Sequence, residues 1–175
     1  GLIERDDFAS GTSSKSSKLV HGGLRYLQQG EVGLVYQALH ERQRLLANAP
    51  HLVKVLPFLI PMFTGKEGVL NPKLSRALGM AMWAYDLTGG LRVGKRHERI
   101  SADEARELMP TLRADRLAAS YLYYDAQADD ARLTLTLART AAVDHGAAVA
   151  NGCALVGLEK DDDGRVVAAE VRADG

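Results

Sequence analysis

The 175-residue chain has a single cysteine, Cys153. An intrachain disulfide is therefore excluded, and this usage suits a reducing compartment. Net charge is absent too: 22 Lys and Arg balance 22 Asp and Glu, which removes any whole-chain electrostatic case for a nucleic-acid partner or an anionic surface. No apolar run approaches the roughly 18 residues that a bilayer-spanning helix needs, and no signal-peptide pattern opens the chain at Gly1. No metal site is expected. The triplet Asp161-Asp162-Asp163 precedes Gly164, and turn chemistry between two strands explains it.

What is present is concentrated in the run from Gly11 to Tyr26, GTSSKSSKLVHGGLRY. Hydroxyls, glycines, cations and one His fill it with almost no apolar spacing. Serine and threonine hydroxyls and exposed amides bind phosphate and ribose oxygens, while Gly22 and Gly23 allow the backbone to approach a flat ring closely. Arg25 offers a planar fork suited to a phosphate or carboxylate. A flexible Ser-rich linker would lack the ending Leu-Val-His-Gly-Gly-Leu-Arg-Tyr.

Periodicity supplies the frame around this loop. Leu2 to Glu4 reads as the end of a buried strand, and Asp6 to Tyr26 as a loop with a short helical piece. From Glu31, the apolar positions Leu34, Val35, Ala38, Leu39, Leu45, Leu46 and Ala49 predict a helix ending near Pro50. The stretch from Leu52 to Phe63, with Pro57 and Pro61, predicts an edge strand. Ser101-Ala102-Asp103-Glu104 is a capping box for a short helix that stops at Pro110. Leu117 to Asp125 predicts a strand, and Asp129 or Asp130 caps a helix facing inward through Leu133, Leu137, Ala138, Ala141 and Ala142 until Gly146. Ala154 to Lys160 and Arg165 to Arg172 form a hairpin. Asn71 to Leu87 reads as a helix with Leu74, Leu78, Met82 and Tyr85 on one side and Met80, Ala81 and Trp83 widening it, which fits either a core helix or a membrane-interface helix.

The stretch from Ile3 to Ser14, continued by SSKLVHGGLRYL from Ser16 to Leu27, resembles the signature region of FAD-dependent glycerol-3-phosphate dehydrogenases. Ala49-Pro50-His51-Leu52, Tyr85-Asp86, and Tyr124-Asp125 leading to Asp129-Asp130-Ala131-Arg132-Leu133 fall in that family's order. The resemblance implies an α/β fold: a Rossmann-like FAD-binding domain interleaved with a mixed-sheet α+β substrate domain. Residues 1–50 would belong to the FAD domain, 51–125 to the substrate or cap domain, and 126–175 to the FAD domain again. It also implies an internal fragment, with the first βα unit and its Gly-rich phosphate turn ahead of Gly1 and more of the substrate pocket beyond Gly175. On that expectation the isolated chain binds FAD poorly.

The implied chemistry is oxidation of sn-glycerol 3-phosphate to dihydroxyacetone phosphate, with electrons passed to quinone. A glycerol-3-phosphate oxidase using oxygen is the alternative within the class, and a non-enzymatic remnant the alternative outside it. Glu4 takes the place of the acid that holds the adenosine ribose. By the resemblance, Thr12, Ser13, Ser17, Lys18, Leu19, His21, Gly22 and Gly23 would line the stretch from pyrophosphate to ring, and Cys153 and Ala154 would lie where related flavoproteins present a strand to adenine. Ser10, Ser14 and Ser16 are expected to satisfy local backbone instead. His21 is the candidate catalytic base, with a positioning donor to the flavin as its other reading. Arg25 and Tyr26 are the expected substrate residues, unless Arg25 pairs with a carboxylate that pins the loop. Asp129, Asp130 and Arg132 cap a helix and tie it to the flavin loop. The resemblance further favours the membrane reading of residues 71–87, with Lys66, Lys73 and Arg76 meeting head groups and Met82→Glu releasing the protein without unfolding it. The implied location is cytoplasmic, peripheral to the inner face of the cytoplasmic membrane, and a homodimer is left open.

Overall fold

The computed structural model of the chain describes residues 1–27, 29–64, 72–88 and 93–173, without the side chains of 72–77. In chain order the elements are β1 (Leu2–Ile3), β2 (Leu19–Val20), α1 (Leu24–Leu27), α2 (Val32–Asn48), β3 (Val53–Phe63) and α3 (Pro72–Thr88). There follow β4 (Glu98–Ser101), α4 (Ala102–Leu108), β5 (Leu117–Ala128), α5 (Asp130–His145), β6 (Val149–Ala150), β7 (Cys153–Lys160) and β8 (Val166–Ala173). The chain divides into two compact units, one made of Gly1–Lys18 with Asp129–Gly175 and the other of Leu19–Ala128. The sequence placed divisions near residues 50 and 125. In the structure α2 packs Val35 and Leu39 against Tyr85 of α3, which joins it to the sheet-bearing unit.

That unit is built on β5. Its whole length pairs antiparallel with β3, from Val53 opposite Ala128 to Phe63 opposite Leu117. On its other side β2 pairs near Ala126 and β4 near Ser120, both antiparallel. Among the described residues β5 is the one neighbour of β3, which fits the edge position its prolines predicted, because Pro57 and Pro61 have no N–H to give a further strand. Side chains alternate across β5: Ala119 and Tyr121 join Met62 and Met82 in one core cluster, and Tyr123 continues toward Val35, Leu39 and Tyr85 in a second. Leu24 of α1 touches both clusters. The capping box of α4 forms, with Ser101 Oγ accepting from Glu104 N and the Glu104 carboxylate accepting from Ser101 N.

The helix α3 corrects one expectation. Met82 is fully buried between Met62, Ala119 and Tyr121, so this side of α3 is core and Met82→Glu is expected to unfold the protein. Trp83, Met80 and Leu87 lie on the opposite side and are 54%, 68% and 76% exposed. The core reading therefore holds for the face that carries Met82, and the face that carries Met80, Trp83 and Leu87 is exposed. Lys66 and Asn71, and the side chains of Leu74, Lys73 and Arg76, lie outside the described residues.

In the other unit β1 runs parallel to β6, with Leu2 opposite Val149 and Ile3 opposite Ala150. β1 is exposed where a buried strand was expected, because β6 is its one neighbour in the sheet among the described residues. Asp129 caps α5 by accepting from Arg132 N, and Gly146 ends it at φ 67°. Ala138 is buried but Leu137 is 62% exposed, since one residue turns a helix by about 100° and carries Leu137 off the covered face. The β7–β8 hairpin turns at the acidic triplet, where Asp161 Oδ1 accepts from the amides of Asp163 and Arg165.

Candidate functional site

The predicted ligand loop crosses the boundary between the two units at Lys18–Leu19. Its first half begins with a 3-10 turn over Thr12–Ser14. Ser14 Oγ donates to Gly11 O, and Ser16 Oγ donates to Asp130 Oδ2 while accepting from Lys18 N. Among the described residues the hydroxyls of Thr12, Ser13 and Ser17 have no protein partner and face outward. The serines thus separate into two kinds, those that close the loop and those left for something else. Lys18 adopts φ 60°, uncommon for a residue with a Cβ, and its Nζ lies 3.8 Å from Asp129 Oδ2. The tie between α5 and the loop runs through Asp129 and Asp130, not Arg132. The Ser16 hydroxyl is the main cause that holds the Asp130 carboxyl below the ordinary carboxylate range.

Glu4 lies in the same unit. Its backbone N–H donates to Ala150 O, its carbonyl accepts from Cys153 N, and one carboxylate oxygen accepts from Asp6 N at 2.9 Å. Asn151 Nδ2 donates to Asp7 Oδ1. The structure therefore brings Glu4 beside the 149–154 segment, including Cys153 and, just beyond it, the buried Ala154.

The second half of the loop opens onto a cleft of about 350 Å³. Leu19, His21, Gly23, Arg25 and Tyr26 line it from the loop, Phe58 from β3, and Tyr123 and Asp125 from β5. His21 and Arg25 are exposed, and among the described residues Arg25 makes no ion pair, so no carboxylate uses it to pin the loop. Phe58 and Tyr123 stack at 5.2 Å between ring centroids. Burial, with a smaller contribution from the Asp125 charge, pushes the Tyr123 phenol up to about 12; it stays protonated near neutrality and keeps a donor O–H. A cleft of this size with an uncommitted guanidinium, an imidazole and a phenol suits a small anion carrying hydroxyls.

Beneath the cleft lies a set of residues that carried no predicted role. Asp125 Oδ1 accepts from Gly22 N at 2.9 Å, from Arg42 Nη1 at 2.5 Å and from Tyr85 Oη at 3.0 Å. Arg42 Nη1 also reaches Tyr85 Oη and the carbonyl of Tyr124. Arg42 and Asp125 are 1% and 3% exposed. Burial is the main cause that raises the Tyr85 phenol, and the nearby Asp125 charge adds to it. Losing one partner of such a buried pair costs about 3–5 kcal/mol, because the other charge is stranded. One signal was legible: Arg42 continues the buried stripe of Val35 and Leu39 on α2, where a cation is out of place. The dipeptides containing Tyr85 and Asp125 stood out in sequence only as landmarks.

This packing leaves no room for a side chain at Gly22, and a left-handed backbone disfavours one at Gly23. A Cβ on Gly22 would sit 2.1 Å from Leu39 Cδ2 and 2.4 Å from Tyr85 Oη, and Gly23 adopts φ 72°. Asp86 and His97 form a further buried pair, with His97 Nδ1 2.7 Å from Asp86 Oδ2, and the His97 ring meets Trp83 edge to face at 5.2 Å.

Comparison with known proteins gives a concordant result. The family model described as FAD dependent oxidoreductase matches residues 1–175. A mitochondrial glycerol-3-phosphate dehydrogenase of Arabidopsis thaliana is 42% identical over 98% of this chain and 28% of its own length. The glycerol-3-phosphate dehydrogenase of Mycobacterium leprae is 44% identical over 98% of this chain and likewise 28% of its own. Among solved structures, the Bacillus halodurans glycerol-3-phosphate dehydrogenase complexed with FAD superposes with a TM-score of 0.63 at 30% identity, covering 98% of this chain and 25% of that one. The L-alpha-glycerophosphate oxidase of Mycoplasma pneumoniae shares the fold with a TM-score of 0.62 at 15% identity, over 99% of this chain and 43% of that one. The chain spans a little over a quarter of the length of these two curated relatives.

Proposed function

This chain belongs to the family of FAD-dependent oxidoreductases, and from that premise we propose that it supplies cofactor-binding and substrate-binding residues to an enzyme that oxidises sn-glycerol 3-phosphate to dihydroxyacetone phosphate. The α/β fold expected from the sequence is the fold of that family. The observation that carries the substrate reading is Arg25, exposed and unpaired among the described residues, beside His21 and Tyr26 on a cleft of about 350 Å³. A phosphate monoester asks for such a fork, and a glycerol backbone for neighbouring O–H and N–H groups.

The residues present fit FAD by the chemistry of their donors. Thr12, Ser13, Ser17 and Lys18 offer hydroxyls and a cation to a pyrophosphate, and Glu4 keeps a carboxylate for a ribose hydroxyl. Bound FAD supplies the two-electron acceptor for the substrate C–H. Within this chain Arg25 and Tyr26 hold and orient the substrate, the Phe58–Tyr123 stack excludes water from one wall, and His21 donates a positioning hydrogen bond or takes the hydroxyl proton. The test is anaerobic addition of sn-glycerol 3-phosphate to the full-length flavoprotein. Bleaching of the visible flavin absorption supports the reading, and a spectrum that stays oxidised sinks it.

The acceptor we propose is quinone, with oxygen as the alternative. Turnover with a soluble quinone and no hydrogen peroxide is the expected outcome, and stoichiometric peroxide would favour the oxidase. The exposed side of α3, with Met80, Trp83 and Leu87, supports peripheral contact with the inner face of the cytoplasmic membrane. No helix among the described residues is long and apolar enough to cross a membrane. Trp83→Glu with Leu87→Glu should weaken binding to anionic vesicles while sparing the thermal midpoint, whereas Met82→Glu should collapse the midpoint. Unchanged vesicle binding by the double variant would remove the membrane proposal.

A further inference from the structure

We propose that Asp125 is a positioning residue for the substrate loop, holding the Gly22 amide so that His21 and Arg25 are presented to the cleft, with Arg42 and Tyr85 fixing the carboxylate that does it. The inference rests on the substrate reading above for its kinetic consequence. One carboxylate oxygen, Asp125 Oδ1, gathers Gly22 N, Arg42 Nη1 and Tyr85 Oη at 2.9, 2.5 and 3.0 Å. Those donors come from the loop, α2 and α3, so the one atom fixes the loop against both helices. Gly22 is separated from Asp125 by 103 residues, which makes this contact a tertiary decision and not a turn.

Three features argue that the pair does more than fill space. First, a buried ion pair can be replaced by well-packed apolar side chains at little or no loss of stability, and Arg42 sits on a stripe otherwise made of Val35 and Leu39. Second, the pair is spent on a backbone amide flanked by His21 and Gly23, both of which line the cleft, as Asp125 itself does. Third, Arg25 makes no ion pair among the described residues, so the loop's geometry is carried by Asp125 and the guanidinium of Arg25 is left for a ligand. Gly22 admits no side chain at this point, since a Cβ would strike Leu39 and Tyr85; the amide is pressed against the site that holds it.

The experiment uses the full-length flavoprotein and two variants, Asp125→Ala and the double variant Asp125→Ala with Arg42→Met, which removes the guanidinium that the first leaves stranded. Two quantities are read: KM and kcat with sn-glycerol 3-phosphate, and hydrogen–deuterium exchange of the peptide covering residues 19–27. The double variant is expected to fold, to raise KM about tenfold or more with a smaller change in kcat, and to exchange faster over 19–27 than the parent while the α5 peptides are unchanged. If Asp125→Ala fails to fold, the double variant decides alone. A folded double variant with the parent's KM and the parent's exchange over 19–27 would overturn the proposal and leave the pair a packing element. Should the parent itself fail to oxidise sn-glycerol 3-phosphate, the substrate reading falls, and the exchange contrast still decides whether Asp125 holds the loop.

Discussion

From Gly11 to Lys18 the ligand loop is tied to the start of α5 by exposed contacts, whereas from Leu19 to Tyr26 it is tied to β5 by a buried one. Ser16 reaches Asp130 and Lys18 reaches Asp129 in the first half; Gly22 reaches Asp125 in the second. The device is the same, an aspartate that captures a passing loop. The surroundings differ. An exposed ion pair such as Lys18–Asp129 is worth at most about 1 kcal/mol, because water screens it and competes for both partners. The Asp125 contact excludes water and shares its acceptor with a guanidinium and a phenol, so it cannot be exchanged for solvent. The first half is therefore left adjustable, with free hydroxyls suited to the long, polar part of a dinucleotide. The second half is fixed, which on the proposed reading would seat a small substrate against a reacting atom.

Glycine is the sharpest way to test that contrast. Gly22→Ala should be the most damaging single change in the loop, costing about 3 kcal/mol by overpacking, because its Cβ would meet Leu39 Cδ2 at 2.1 Å. Denaturant unfolding of the full-length protein measures it, and a loss below about 1 kcal/mol would mean that the second half is not rigidly seated.

Arg25→Ala comes next and acts on function. A charge-assisted contact to substrate is worth about 1.5–3 kcal/mol, so kcat/KM with sn-glycerol 3-phosphate should fall roughly 10- to 100-fold with flavin content intact. Flavin loss with normal kinetics in the molecules that retain it would move Arg25 into the cofactor site and blur the two halves.

A smaller effect is expected from the ties of the first half. The folded Asp130 carboxyl lies below its unfolded value because the Ser16 hydroxyl, above all, favours the charged form. Its contribution is therefore present above the unfolded pKa, roughly pH 4, and is lost as pH falls through the lower folded value. Ser16→Ala should flatten the acid side of a thermal-midpoint titration and leave the neutral plateau nearly unchanged. A large drop at neutral pH would show that this half is as firmly held as the other.

Smallest of all, Gly11→Ala should stay within about 0.5 kcal/mol of the parent, since a Cβ there meets nothing within 4 Å. Equal damage from Gly11→Ala and Gly22→Ala would end the comparison.

Much of this was legible along the chain. The helix α2, the edge strand β3, the capping box at Ser101, the cap and stop of α5 and the β7–β8 hairpin all follow from local rules: apolar spacing, an N-cap hydroxyl or carboxylate, a glycine in the left-handed region, a turn of acidic residues. The run from Gly11 to Tyr26 announced a ligand by composition, and its resemblance to a flavoenzyme signature pointed to the family that the chain matches along its length. These are properties of near neighbours in sequence, so sequence suffices.

What sequence could not decide was which side of an element meets which. From Ala77 to Tyr85 the sequence of α3 has no charged residue on any side, and only its packing on Met62, Ala119 and Tyr121 separates the core face at Met82 from the outer face at Trp83. Gly22 read as room for a flat ring; the fold adds Leu39 and Tyr85 against its Cα. Arg42, Tyr85 and Asp125 are ordinary residues on three separate elements, more than 80 positions apart at the extremes, and nothing local marks them as partners. They become one unit only when α2 and α3 dock on β5, because desolvation then makes each charged or polar group depend on buried partners in place of water.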